Sequence, residues 1–152
     1  MNNSIIKSIE INAPINRVWQ ALTDYQEFGS WFMVALENPF EVGQITTGRM
    51  LYPGSEGMLF TVRVLKMDAP TFFSFRWPWD EHNLLDSEAA MEQTILVEFT
   101  LSETIGGTRL EVVESGFERV PENQRASMIQ GNTRGWEEQT QNIRNYVEAD
   151  NG

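Results

Sequence analysis

The chain contains no cysteine, which excludes disulfides, thiolate nucleophiles and zinc–thiolate centres together. It has one histidine, His82, too few for a histidine-rich zinc site and no basis for a histidine-served serine nucleophile. Basic residues are scarce as well: 11 Lys and Arg stand against 22 Asp and Glu, a net charge of −11. Phosphate backbones need a basic face and anionic bilayers attract basic segments, so neither nucleic acid nor membrane is expected as a partner. No stretch approaches the roughly 20 apolar residues of a membrane span. The opening MNNSIIKSIEINAP lacks the basic region and apolar run of a signal peptide. A soluble cytoplasmic chain is the expectation. Phosphate-cradling glycine motifs are missing, and Gly54-Ser55-Glu56-Gly57 has the wrong spacing for a nucleophile elbow. It reads as a turn.

What the chain does have is apolar and aromatic mass: 41% apolar residues, including five Trp and nine Phe in 152 residues. That suits one domain, residues 1–152, with one core. Its last third, Pro121 to Glu148, reads as a long helix. Pro121 suits a helix start and Glu122 the positive end of the dipole. Trp136, Thr140, Ile143 and Val147 then recur as one stripe at helical period, with Gln139 among the polar residues assigned to the solvated face. Gly131 and Gly135 each cost about 1 kcal/mol inside a helix. They predict a kink, or a place where sheet or ligand comes very close.

Ahead of this helix, Ile5 to Ile11 alternates as a half-buried strand. Pro14 opens an amphipathic helix through Ile15, Val18, Trp19 and Leu22. Asp24 is placed to cap a second short helix from Tyr25 to about Trp31. From Ile45 to Glu114 the pattern is strands and turns. Phe60, Val62 and Val64 share one face, as do Phe73, Phe75, Trp77 and Trp79. Ile95, Val97, Phe99 and Leu101 make another, and Leu110, Val112 and Glu114 alternate with Glu111 and Val113. Tight turns at Pro53–Gly57, Asp68–Pro70 and Gly106-Gly107 make the sheet antiparallel. The expected class is α+β: a curved antiparallel sheet covered by the long C-terminal helix, with two short helices after the first strand.

This order, with INAPINRVWQAL at Ile11–Leu22, Thr23-Asp24, Trp31-Phe32, Glu114-Ser115-Gly116-Phe117, Gly135-Trp136-Glu137-Glu138 and Tyr146-Val147, resembles the START-like, helix-grip (SRPBCC) superfamily. Within it the chain looks like the branch named after the activator of the heat shock protein 90 ATPase. The resemblance implies a helix-grip fold with a concave space between sheet and helix. It also implies either a ligand-binding module or a cochaperone-like interaction module touching a chaperone or stress-response partner. A cyclase- or aromatase-like enzyme is a further analogy.

Phe75, Trp77, Phe99, Phe117, Met128 and Trp136 are the candidate cavity lining, with Trp31 and Phe32 at the mouth. The alternative is that they only fill the core. The leading expectation is non-enzymatic binding of a small apolar or amphipathic ligand, with no catalytic residues, no metal and no cofactor. Arg49, Arg63 or Arg76 could turn inward to hold a ligand carboxylate, although strand arginines more often face water. The insertion Asp80 to Glu92 carries Asp80, Glu81, His82, Asp86 and Glu88. These are metal-ligand residue types, but a hard-metal site needs convergent oxygens; the stretch reads instead as a solvated acidic loop, or a lid beside the pocket. Glu98 and Glu111 would serve acid–base chemistry only if buried together, and alternation places both away from the apolar faces. Oligomeric state is left open.

Overall fold

The computed structural model describes residues 4–80 and 82–150. Glu81 of the acidic insertion and the opening Met1–Asn3 lie outside the described residues. The chain runs β1 (Ile5–Ile11), α1 (Ile15–Thr23), α2 (Tyr25–Phe32), β2 (Val34–Leu36), β3 (Ile45–Met50), β4 (Leu59–Asp68), β5 (Phe72–Pro78), α3 (Glu88–Glu92), β6 (Thr94–Thr104), β7 (Gly107–Ser115) and α4 (Glu122–Asp150). A turn of 3-10 helix, Phe117–Arg119, leads into α4. One seven-stranded antiparallel sheet has the order β1-β7-β6-β5-β4-β3-β2. The first strand thus closes against the last, and β2 forms the far edge.

Local sequence accounts for most of these elements. The Asp24 carboxylate accepts from the Gln26 and Glu27 amides and caps α2, a contact typically contributing about 1 kcal/mol. Helix α2 ends at Met33 with a left-handed φ of 68°, which turns the chain into β2. That three-residue strand is too short for alternation to reveal, and it was not expected. The register between β4 and β5 shifts at Val64/Lys66, a bulge of the kind that bends a sheet.

Helix α4 lies across the concave face. Trp136, Thr140, Ile143 and Val147 are all buried, so the helical stripe meets the sheet. The buried arc is wider than that stripe: Gln139 is only 6% exposed and donates to the Phe32 carbonyl at 2.9 Å. At the start of α4, the Arg125 guanidinium donates to the carbonyls of Phe117, Glu118 and Val120. Further along, Tyr146 donates its hydroxyl to Glu27 Oε1, which also pairs with Arg17 at 2.8 Å. This joins α4 to α1 and α2.

The insertion is more ordered than its composition suggests. It contains α3, capped by Ser87, and Leu85 is completely buried. Arg63 holds it from β4, donating to the carbonyls of Gly43 at 2.8 Å and Leu85 at 3.3 Å and to Met91 Sδ at 3.4 Å. Among the described residues no three His, Asp or Glu side chains converge on a possible metal position. None of the described helices is long and apolar enough to cross a membrane.

Candidate functional site

The site is assembled around Glu114. On β7 the side chains of Leu110, Val112 and Glu114 alternate inward, and the same periodicity that buries the two aliphatics buries the carboxylate completely. Three donors meet it. Trp136 Nε1 donates to Oε1 at 2.8 Å, while Trp77 Nε1 and Asn132 Nδ2 donate to Oε2 at 2.9 and 3.1 Å. Burial pushes its pKa above the ordinary glutamate value, and the bonds from Trp136, Trp77 and Asn132 pull it partly back. Both oxygens are occupied, and they fix two indoles that come from opposite layers of the fold.

Trp77 stands on β5 in line with Phe73 and Phe75, and Trp136 on the sheet-facing stripe of α4. Their rings stack at 5.8 Å and 20°. Beyond them lies a cavity of about 300 Å³ lined by Phe32, Met50, Tyr52, Ser55, Trp77, Gly131, Asn132, Gly135, Trp136 and Gln139. Asn132, Trp136 and Gln139 fall at i, i+4 and i+7 and therefore present one face of α4. The glycines beside them supply room. A Cβ added at Gly131 or Gly135 would meet no heavy atom within 4 Å, and α4 runs through both positions as helix. Of the alternatives their cost within a helix raises (a kink, or close approach of sheet or ligand), a closely approaching sheet is ruled out. The two glycines leave the cavity wall bare.

The expected lining residues divide in two. Phe32, Trp77 and Trp136 line the cavity. Phe75 and Phe99 sit behind that wall, fully or almost fully buried, with ring centroids 5.4 Å from Trp77 and 5.8 Å from Trp136. Phe117 is buried below the start of α4. Met128 is half-buried and packs on the core. Trp31 turns away from the cavity, donating its indole N–H to the Ala21 carbonyl at 2.8 Å.

None of the three candidate arginines lines the cavity. Arg49 reaches the Gly57 carbonyl, Arg63 holds the insertion, and Arg76 lies half-buried on the outer face. Glu98 and Glu111 are half-buried on that outer face too, opposite Val113 and Thr100 respectively. His82 is exposed.

Sequence reasoning passed over Glu114, Asn132, Gln139 and the Tyr52–Ser55 turn. The signal for Glu114 was its place in the inward alternation of β7. For Asn132 and Gln139 it was their helical spacing from Trp136.

A family model described as Activator of Hsp90 ATPase homolog 1-like protein matches residues 12–148. The chain belongs to that family. The match starts just after β1 and runs into the last turn of α4, so it takes in both tryptophans and Glu114. Among solved structures the chain is similar to a protein from Arthrobacter aurescens (TM-score 0.77, 20% identity, covering 96% of this chain and 86% of that one). It is also similar to protein Ms6760 from Mycobacterium smegmatis (0.75, 18%, 97% and 92%) and to protein MLL2253 from Mesorhizobium loti (0.74, 23%, 96% and 97%). At these identities the solved structures show the fold alone; with the family match they support the START-like, helix-grip assignment. Comparison with curated proteins gives no match.

Proposed function

We propose that this chain is a binding module that takes one small apolar or amphipathic molecule into the cavity between α4, β5 and the end of α2. The observation that carries this is the stacked Trp77–Trp136 pair, held by the buried Glu114 and facing open space where α4 is trimmed to Gly131 and Gly135. Rings fixed in advance cost little further ordering when a ligand arrives. An apolar wall with a few polar groups, here Asn132, Gln139, Tyr52 and Ser55, is the usual chemistry of a small-molecule site. The carboxylate behind the wall accepts three hydrogen bonds, which suits a positioning residue better than a proton shuttle.

Titration with the neutral probe N-phenylnaphthylamine, followed by energy transfer from tryptophan, tests the proposal. Saturable uptake that is lost in a folded Gly135→Leu variant supports it. Uptake that Gly135→Leu leaves unchanged would rule the cavity out.

Family membership favours a second reading, an interaction module of the cochaperone kind. Stimulation of a cognate Hsp90-type ATPase by the purified chain supports that reading. No stimulation at saturating protein would remove it.

A further inference from the structure

The outer face of the sheet carries a different feature. One rung crosses it at a single level: Arg63 on β4 pairs with Arg76 on β5, Arg76 with Leu96 on β6, and Leu96 with Ser115 on β7. Ser115 follows Glu114 directly, so alternation sends its side chain outward where that of Glu114 goes in. Gly116, with a left-handed φ of 99°, then turns the chain into the 3-10 turn that carries Arg119. The result is a polar depression of about 370 Å³ lined by Ser4, Arg76, Leu96, Ser115, Gly116, Glu118 and Arg119.

Two guanidiniums share this depression in a chain with twice as many acidic as basic residues. Burial, and after it the charge of Arg119, lower the pKa of Arg76. Glu98 acts in the opposite sense, yet neither it nor Glu118 lies within ion-pair distance of Arg76 or Arg119. Among the described residues neither guanidinium has a hydrogen-bond or ion-pair partner. Most other arginines of the chain do: Arg17, Arg49, Arg63 and Arg125 each donate to named acceptors. Two like charges side by side in one polar depression suit an anion, and two planar forks match tetrahedral oxyanions in particular.

We propose that Arg76 and Arg119, with the Ser115 hydroxyl, bind the phosphate group of a small soluble molecule on the face of the sheet opposite the apolar cavity. Net charge and the neighbouring Glu118 oppose docking on an extended anionic surface, which selects a discrete phosphate over a membrane. This site is independent of the cavity, since the backbone of β7 separates Ser115 from Glu114.

Amide chemical-shift titration with inorganic phosphate, against sodium chloride at matched ionic strength, tests the site. A saturable response at Ser115, Gly116 and Arg119 is expected. Arg119→Gln, an exposed substitution that spares the core, should weaken it about tenfold or more, and Arg76→Gln likewise. The same response in Trp136→Ala would mark the site as separate from the cavity. A linear response, an equal response to chloride, or unchanged affinity in folded Arg119→Gln would overturn the proposal. Adsorption to phosphatidic acid vesicles without any response to free phosphate would overturn it too, in favour of a lipid headgroup.

Discussion

The indole of Trp77, on the sheet, lies 5.8 Å from that of Trp136, on the long helix, with the rings 20° from parallel. Both N–H groups end on the same carboxylate, Glu114. The geometry couples two layers of the fold through one buried acid and sets the aromatic wall of the cavity.

Removing that acid should be costly. Glu114→Ala orphans two indole N–H groups and the Asn132 amide, and an unsatisfied buried donor costs about 1–3 kcal/mol. Deleting the side chain also leaves a void. Denaturant unfolding is expected to show a loss of about 2 kcal/mol or more, with altered near-UV dichroism from the unstacked indoles. A variant as stable as the parent would mean that the three bonds contribute nothing.

Protonation of Glu114 should be visible in the pH dependence of stability. Its folded pKa is raised above the ordinary glutamate value of 4.5 by burial. Between the unfolded and folded values the native state therefore holds more protons, and stability falls as pH rises. The contribution is fully present below the unfolded pKa and is lost as pH passes through the folded one. Glu114→Gln cannot titrate there, so the stability of the parent minus that of the variant should decline as pH rises from about 4.5. A difference that is flat, or that grows with pH, would contradict the raised value.

Most of the architecture was legible because it rests on long periodic segments. The stripe Trp136, Thr140, Ile143, Val147 and the alternation of β5, β6 and β7 are each set by burial of one face, and burial leaves a pattern. Two parts of the site left a weaker pattern. A single stripe on α4 places Gln139 in water, whereas a curved sheet encloses a broader arc of the helix. Glu114 stood in the inward series of β7, but a charged residue there offers no apolar signal. Strand β2 has three residues, too few for any period, and α3 depends on a Ser87 cap and a buried Leu85 inside an acidic stretch.

Gly135 separates helix stability from cavity volume. Gly135→Ala should stabilise the chain by up to about 1 kcal/mol, because the added methyl meets nothing within 4 Å. Thermal unfolding of the free protein checks this. A lowered melting temperature would show that the glycine is needed for backbone reasons.

Arg63 should govern the insertion and not the core. Arg63→Met removes its bonds to Gly43 and Leu85. The expected outcome is faster hydrogen exchange and proteolysis across Asn83–Glu92, with little change in β6, β7 or α4. Uniformly faster exchange throughout the chain would place Arg63 in the global fold.

The Trp77–Trp136 cavity is proposed to hold a small molecule. Native mass spectrometry of the protein, purified gently from its own cells, tests this most directly. One fixed added mass is expected, lost on denaturation and absent from Gly135→Leu. A bare chain, or an added mass that persists when Gly135→Leu fills the cavity, would contradict it.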